Sequence, residues 1–365
     1  MKSTFPTEEN LSGLKKEDFQ KEINGRFTDL FILRNKNGME VAVTNYGCTV
    51  LSIMVPDKND KYANVILGHD NIESVINSPE PFLSTTIGRY ANRIAKGKFT
   101  LFGEDHELVI NNGPNSLHGG PTGFHTRVWH AEQLDERTIE FKRRSINNEE
   151  GFPGLLEVQI RYQLDEEENS ILMEYHATTD AATIVNLTHH GFYNLAGIDN
   201  PTPTIDNNIV TINADFYIPI DENSIPTGEI LKVEDTPMDF RTPFMIGERI
   251  NERFDQLIHG AGYDHCYIVN KPESGELTLA ATCKEPNSGR TMEVYTTEEG
   301  VQLYTGNWLN GFEGAHGATF PARSAICFEA EYFPNTPNVP YFPPCTLLPG
   351  DEYQQTTIYK FGVEK

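Results

Sequence analysis

The sequence predicts a mainly β fold: a large antiparallel β-sandwich with few short peripheral helices. Apolar and polar residues alternate with a period of two in many segments, which is the pattern of half-buried strands. Turn-forming dipeptides separate these segments so densely that little room is left for long helices. No alternation of strands and helices and no internal repeat is present. Many strands with few helices favour a sandwich, although this pattern does not give the strand order.

The predicted strands begin with a hairpin near the N-terminus. Residues 27–33 and 39–43 flank Asn37-Gly38, a dipeptide suited to the positive φ angles of a tight turn. Further turns are expected at residues 112–114 and 287–289. Similar alternating runs follow at residues 138–141, 156–164, 171–177, 277–283 and 292–295.

Three segments are helical candidates: residues 15–23, 71–76 and 248–258. The last has Ile250, Leu257 and Ile258, with Phe254, at helical spacing, so we expect one amphipathic helix there. All three are short and are expected at the periphery.

The charge and the cysteines limit the classes of partner and compartment. Acidic residues outnumber basic ones 53 to 29, giving a formal charge of −24, so nucleic acid and anionic membranes are not expected partners. No segment approaches the ~18 apolar residues of a membrane span, and residues 1–14 lack the apolar run of a signal peptide. The five cysteines are dispersed and odd in number, which favours buried thiols and a cytoplasmic location.

Five segments combine ionisable, amide and glycine residues in a way that plain core strands do not. Each segment alone also fits packed or solvated side chains, and Arg93 or Asp264 could simply serve ion pairing or a turn. Glu329 ends an apolar run and would need a partner if buried, which makes it a candidate base. The segments are GRYANRI at 88–94, NSLHGG at 115–120, NLTHHGFYNL at 186–195, GYDH at 262–265 and CFEAE at 327–331.

His189 and His190 are adjacent in a β-rich run. Successive side chains of a strand point to opposite faces, so one histidine should face a site while the other packs or meets solvent. For the same reason the two are a poor pair of ligands for one metal ion. The sequence also lacks the GxSxG, GxxxxGK[ST], GxGxxG and HExxH motifs.

Together these segments resemble the aldose 1-epimerase family. Its usual patterns are close to GRxANRI, NSLHGG, NLTNHSYFNLxG, GxDH, GVQxYTGN and LETQxxPDxPN. Their counterparts here occur in the same order at residues 88–94, 115–120, 186–197, 262–265, 300–307 and 328–338. One such motif would be weak, whereas six in order along nearly the whole chain are specific.

The resemblance implies a fold and a set of roles. The fold is a large β-supersandwich of the galactose mutarotase type, with residues 1–365 as one domain and residues 1–25 as an N-terminal lead-in. His190 takes the position of the general acid and Glu329 that of the general base. Positions that bind sugar hydroxyls are matched by Asn92, Arg93, His118, Asp264 and Gln302, and positions that border the sugar by Gly191 and Phe192.

The sequence departs from the family pattern beside both proposed catalytic residues. His189 stands where the family usually has Asn, and Gly191-Phe192-Tyr193 replaces Ser-Tyr-Phe. After Glu329, Ala330-Glu331 replaces Thr-Gln, which removes a hydroxyl and adds a negative charge. These changes alter the hydrogen-bonding groups available to the sugar and therefore affect its preferred identity.

The implied reaction is the interconversion of α- and β-anomers of free aldohexoses such as glucose and galactose. A base removes the proton of the C1 hydroxyl while an acid protonates the ring oxygen. We expect Asp264 or Glu329 to stabilise an imidazolium at His190 and to raise its pKa. No organic cofactor is required, and a bound cation such as calcium is conceivable without identifiable ligands. The partner is a small aldose, and the chain is expected to be a monomer or weak homodimer.

Alternative functions stay open from the sequence alone. A non-catalytic carbohydrate-binding protein would retain the sandwich and the cleft without accelerating mutarotation. An epimerase of a phosphorylated sugar would need basic residues beyond Arg89 and Arg93 near the cleft. A glycoside-processing enzyme would use two carboxylates such as Asp264 and Glu329, leaving His190 without a task.

Overall fold

The structure is a computed structural model that describes residues 9–199 and 201–364. The described residues hold three α-helices, α1 (Ile72–Ile76), α2 (Ile246–Arg249) and α3 (Asp255–His259). Five short 3-10 helices lie at Lys16–Phe19, Ala95–Gly97, Phe124–Thr126, Ala315–Gly317 and Thr336–Asn338. None of these helices is long and apolar enough to cross a membrane.

Strands dominate the described residues. In chain order they are β1 (Glu22–Ile23), β2 (Arg26–Phe27), β3 (Leu30–Arg34), β4 (Glu40–Thr44), β5 (Val50–Pro56), β6 (Tyr62–Asn64), β7 (Thr86–Ile87), β8 (Arg93–Ile94), β9 (Lys98–Leu101), β10 (Glu104–Glu107), β11 (Ser116–Leu117), β12 (His130–Gln133), β13 (Thr138–Ser145), β14 (Leu156–Leu164), β15 (Ser170–Thr179), β16 (Thr183–Ile184), β17 (Thr188–His189), β18 (Ile209–Ile212), β19 (Phe216–Tyr217), β20 (Leu231–Lys232), β21 (Phe244–Met245), β22 (Asp264–Ile268), β23 (Thr278–Lys284), β24 (Arg290–Thr296), β25 (Gly300–Tyr304), β26 (Phe312–Glu313), β27 (Thr319–Phe320), β28 (Cys327–Glu331), β29 (Thr346–Leu347) and β30 (Tyr353–Val363).

Three sheets form the body of the molecule. The largest has nine strands in the order β12-β13-β14-β15-β30-β24-β23-β18-β21. A five-stranded sheet has the order β20-β19-β22-β25-β28, and a four-stranded sheet the order β3-β4-β5-β6. Neighbouring strands in all three sheets are antiparallel, which confirms the mainly β, antiparallel prediction.

The alternating strands bury one face of the nine-stranded sheet. In β14 the buried positions are every second residue from Leu156 to Leu164, and β15, β24 and β30 repeat this alternation. Their apolar side chains join those of the other two sheets in one core, to which β4 contributes Val41, β25 contributes Leu303 and β28 contributes Phe328. The hydrophobic effect of this shared core holds the sheets together.

The first predicted hairpin is confirmed. Strands β3 and β4 pair antiparallel, and Gly38 adopts a φ of 90° in the turn between them. The Asn35 side chain accepts a hydrogen bond from the backbone N–H of Met39 across this turn. Phe27, which was predicted to start the first strand, belongs instead to the separate β1–β2 hairpin.

Two of the three predicted helices are wrong in extent. Residues 15–23 form one 3-10 turn, Lys16–Phe19, followed by β1, because the Thr28 hydroxyl donates to the carbonyl of Phe19 and thereby fixes the chain as it turns back. Residues 248–258 divide into α2 and α3, and Phe254 is extended between them.

The division of residues 248–258 breaks the expected apolar face. Ile250 and Leu257 are buried, whereas Ile258 is 63% exposed. The remaining prediction, residues 71–76, agrees with α1, and the Asn71 side chain caps this helix by accepting the Ser74 N–H.

The predicted state of the cysteines is confirmed. All five are buried and free: Cys48, Cys266, Cys283, Cys327 and Cys345. The prediction that residues 1–25 form a lead-in falls partly on residues 1–8, which lie outside the described residues.

Candidate active site

Glu329 lies on β28, the edge strand of the five-stranded sheet. Because side chains alternate along a strand, Cys327, Glu329 and Glu331 share one face while Phe328 and Ala330 take the other. Phe328 packs into the main core, so the opposite face, with Glu329, is turned away from that core. Glu329 is 2% exposed, and its Oε2 has no hydrogen-bond partner among the described residues.

His190 and His189 diverge as the strand geometry predicts. His189 ends β17, and its Nε2 lies 3.1 Å from the Ser84 carbonyl oxygen, with Tyr162 and Tyr359 around the ring. His190 instead turns toward Glu329, with 3.5 Å between its Nε2 and Glu329 Oε1. The His189 side chain therefore packs in the core, whereas the His190 side chain faces the candidate site.

The structure gathers most of the predicted site residues at one cavity of about 410 Å³. Its walls combine charged, amide and aromatic side chains, a composition typical of a small-molecule site. Among the predicted residues it is lined by Asn92, Arg93, His118, His190, Asp264 and Glu329.

Three predicted residues do not line this cavity and lie just behind its walls. Gln302 is buried in β25, directly opposite Glu329 in the strand pairing, and donates from Nε2 to Asp264 Oδ1 at 2.6 Å. The Phe192 ring is fully buried and stacks on His190 at 4.7 Å. At Gly191 a Cβ atom would come within 2.6 Å of the Tyr193 ring, so the missing side chain permits this close packing.

Asn92 and His118 hold each other in place. The backbone N–H of Asn92 donates to His118 Nδ1, and the backbone N–H of His118 donates to the Asn92 carbonyl, both at 3.0 Å. Both residues have positive φ angles, 63° and 52°. Such backbone conformations are costly for residues other than glycine and are found most often at functional sites. Asn92 and His118 flank the paired strands β8 and β11, and both side chains line the cavity.

Arg93 and Asp264 provide the charged wall of the cavity. Arg93 Nη1 lies 3.6 Å from Asp264 Oδ2, and both side chains are nearly buried. Arg93 Nε also donates to Asn112 Oδ1 at 3.1 Å. A guanidinium and a carboxylate fixed in this way can present donors and acceptors to the hydroxyl groups of one ligand.

The expected rise in the pKa of His190 is wrong. Burial, with smaller contributions from the nearby His189 and Arg93, lowers the pKa of His190 to about 3. Burial raises the pKa of Glu329 well above its ordinary value, and the charges of Glu331 and Asp264 add to this rise. Loss of solvation outweighs the attraction between the pair, because both charged forms are penalised in a dry pocket.

Several cavity residues were missed by reasoning from the sequence. Glu80, Phe82, Tyr304 and Trp308 all line the same space. Trp308 is 65% exposed at the rim, and its backbone N–H donates to the Tyr304 hydroxyl at 3.1 Å. A tryptophan after a glycine-containing turn was the one sequence signal for this part of the site. The direction of its loop depends on tertiary packing, which the local sequence does not determine.

The arrangement favours hydroxyl binding over metal coordination. His118, His190 and Glu329 offer ligand atoms within 4.8 Å of one another, a spacing that a metal ion could bridge. However, His118 Nδ1 accepts the Asn92 N–H, and burial lowers the His118 pKa well below its usual range. The ring is therefore neutral with its hydrogen on Nε2, which leaves that nitrogen as a donor without a lone pair.

A larger cavity of about 780 Å³ lies beside the nine-stranded sheet, where it is lined by residues such as Trp129, Lys142 and Gln159. Several of its charged side chains are already in ion pairs, as in Arg143 with Glu149 and Arg144 with Glu157. It lacks the buried histidine–carboxylate pair that distinguishes the smaller cavity, so we place the candidate active site in the latter.

Comparison with known proteins places this geometry in a family. The family described as Aldose 1-epimerase matches residues 29–360. A galactose mutarotase from Bos taurus is 42% identical over 326 residues, covering 89% of this chain and 92% of the relative. An aldose 1-epimerase from Escherichia coli K12 is 34% identical over 337 residues, covering 92% and 95%.

A solved structure gives the same result for the fold. The GalM/aldose epimerase homologue from C. elegans superimposes with a TM-score of 0.84 at 27% identity, covering 93% of this chain and all of the other. The family match includes both His190 and Glu329. The chain belongs to the aldose 1-epimerase family.

Proposed function

We propose that this chain is an aldose 1-epimerase that interconverts the α- and β-anomers of free aldohexoses such as glucose and galactose. The observation that carries the proposal is the buried pair of His190 and Glu329, whose Nε2 and Oε1 are 3.5 Å apart at a polar cavity. The names of the relatives, galactose mutarotase and aldose 1-epimerase, support the same reaction.

The short separation of the pair suits chemistry at a single carbon. In mutarotation the two oxygens that exchange protons, the C1 hydroxyl and the ring oxygen, are both bonded to C1. An acid and a base that act on them must therefore be close neighbours. In glycoside hydrolysis, by contrast, two carboxyl groups flank the bond at separations of roughly 5 to 9.5 Å.

The proton balance of ring opening matches the surroundings of the pair. With sugar bound, Glu329 takes the C1 hydroxyl proton while His190 gives its proton to the ring oxygen, and the bond between C1 and that oxygen breaks. The pair is then a neutral imidazole and a neutral carboxyl group. Burial favours these neutral forms, so the cleft stabilises the pair at the open-chain stage.

Reclosure reverses these transfers on the other carbonyl face. Rotation about the bond between C1 and C2 presents that face, Glu329 returns a proton to the carbonyl oxygen, and His190 takes one from the attacking hydroxyl. Each turnover leaves the pair as it began. Only protons move between the sugar and the two side chains, so we propose that no organic cofactor is required.

The other cavity residues would hold the sugar during this exchange. His118 Nε2–H and the Arg93 guanidinium are donors, and Asp264, fixed by Gln302, is an acceptor for hydroxyl groups. A phosphorylated sugar is less well matched, because Arg93 is the only Lys or Arg that lines the cavity within the described residues. Arg89 is buried away from it and donates to the carbonyls of Ser145 and Pro153.

The roles of the pair can be tested with His190→Asn and Glu329→Gln. Both changes remove proton transfer, and Glu329→Gln does so with almost no change in shape, so we expect each to reduce kcat by at least about 10³-fold. Polarimetry of freshly dissolved α-glucose and α-galactose, in buffer containing EDTA, measures the rate. Circular dichroism confirms that each variant is folded.

The controls separate this proposal from its alternatives. Wild-type rates in a folded variant would remove that residue from its role. Sugar binding by calorimetry without any acceleration in the wild-type protein would indicate a carbohydrate-binding protein. Faster turnover of a 6-phosphate than of the free sugar would indicate an epimerase of phosphorylated sugars.

A further inference from the structure

Glu331 is a buried carboxyl group next to the catalytic pair with no place in the reaction described so far. It lies two residues after Glu329 on the same face of β28 and has no solvent exposure. Its Oε1 accepts a hydrogen bond from Asn92 Nδ2 at 3.0 Å, and its Oε2 has no partner among the described residues. A carboxyl group is seldom buried so close to another without a consequence for both.

The groups around Glu331 are mostly acidic. Burial raises the pKa of Glu331 well above its ordinary value. The hydrogen bond from Asn92 and the charge of Arg93 oppose this rise, whereas the charges of Asp264 and Glu298 add to it. Arg93 is already close to Asp264, at 3.6 Å. The titratable groups that interact with Glu331 are Glu329, Asp264 and Cys266 in the five-stranded sheet, Glu298 before β25, Tyr90 and Arg93 on the facing segment, and Tyr353 on β30.

Glu329 and Glu331 therefore titrate as a pair. Two carboxylates on one buried strand face repel each other, so the first ionises more readily than the second. The Asn92 amide stabilises a charge on Glu331, whereas no hydrogen-bond donor among the described residues reaches Glu329 Oε2. The geometry thus favours the negative charge on Glu331 and the proton on Glu329.

We propose that Glu331 is a positioning residue that carries the negative charge of the carboxyl pair and thereby keeps on Glu329 the proton that the reaction needs. This inference rests on the proposed function. Because His190 resists protonation, Glu329 holds the single proton of the pair in the empty site. Once Glu329 ionises, that proton is lost and the pair becomes inactive. The charge of Glu331 opposes that loss and extends activity toward higher pH.

The test is the pH profile of kcat/KM for Glu331→Gln. Glutamine keeps one oxygen to accept from Asn92 and replaces the other by an uncharged NH2 group of similar size, so the charge is lost. We expect the alkaline limb to move down by about one pH unit, so that activity above the new limb falls about tenfold while activity on the acid side is retained. Glu331→Asp, which restores the charge, should recover part of the shift.

The matched control is Glu157→Gln, which removes the same charge from an exposed position on β14, with 58% of its side chain accessible. Its profile should coincide with that of the wild-type protein. A profile of Glu331→Gln that also coincides with the wild type, or a uniform loss at every pH without recovery by aspartate, would overturn the proposal.

A second measurement does not depend on activity. The carboxyl groups can be titrated by ¹³C NMR in protein labelled at glutamate, with Glu329 assigned by the signal lost in Glu329→Gln. We expect Glu331 to ionise before Glu329, and Glu329 to ionise at lower pH in Glu331→Gln. The reverse order would overturn the inference about Glu331, whereas a wild-type protein without mutarotase activity would overturn only the proposed function.

Discussion

His190 and Glu329 show how much the properties of a residue depend on its depth in the fold. The sequence supports a histidine near carboxylates, and from that alone a raised pKa is a reasonable prediction. The structure surrounds His190 with Phe192, His118 and Tyr304, and burial reverses the direction of the shift. Depth is set by segments distant along the chain, so no local pattern could have predicted it.

His189 offers a test of which histidine faces the site. Its ring lies in the core beside Tyr162 and Tyr359, so His189→Asn should leave kcat within about threefold of wild type and lower the free energy of unfolding by about 1 to 3 kcal/mol. Polarimetry and urea denaturation measure the two effects. A loss of kcat as large as that of His190→Asn would mean that the roles are reversed.

The pH dependence of kcat/KM follows from the shifts of the pair. The reaction needs one proton on His190 and Glu329 together. On the acid side, a second proton binds to His190 only near its lowered pKa of about 3, and activity falls there. On the alkaline side, the shared proton is lost as the pH passes the raised pKa of Glu329, and activity falls again. We therefore expect activity to persist well below the ordinary histidine pKa. A fall in kcat/KM centred near pH 6.5 would contradict this assignment.

At the scale of elements, the strands were predicted more reliably than the helices and loops. Period-two alternation predicts Leu156–Leu164 with its observed bounds, because one face of that strand is buried along its whole length. The single helix expected at residues 248–258 is two short helices, because Phe254 between them has an extended backbone. The family resemblance supplied the assignment of His190 and Glu329, whereas strand geometry alone left the choice of histidine open.

The loop that carries Trp308 is an element whose contribution can be measured. The exposed ring lines the rim of the cavity, where it can cover an apolar face of the sugar. Trp308→Ala should raise KM by about three- to tenfold and leave kcat nearly unchanged, since the ring is remote from proton transfer. Phe216→Ala, at a 37% exposed position on β19, is the control. A fall in kcat with unchanged KM would assign Trp308 another role.

At the scale of the whole molecule, this strongly acidic chain buries several carboxyl groups. Glu298 is 4% exposed, and burial raises its pKa to about 8, with the charge of Glu299 adding to the rise. The folded state therefore binds a proton that the unfolded chain releases above its ordinary pKa. Stability must fall as the pH rises from about 4.5 to about 8, and must change little from this cause outside that window.

Glu298→Gln isolates this contribution to stability. Glutamine cannot lose the proton, so the variant should be more stable than wild type by about 2 to 5 kcal/mol at pH 8 and nearly equal at pH 4.5. Urea denaturation at both pH values gives the free energies of unfolding. A variant that is less stable than wild type at pH 8 would show that the native carboxylate is ionised and favourably bound.

The position of Glu329 on an edge strand has a consequence for folding kinetics. β28 pairs only with β25 in its sheet, and His190, the other residue of the proposed catalytic pair, follows β17, which is bonded to β7 far earlier in the chain. Contacts of such long sequence separation close late, because the entropy of ordering the intervening chain must be overcome first. During refolding, far-ultraviolet circular dichroism should therefore recover before mutarotase activity, which reports the final closure of the chain around the sugar.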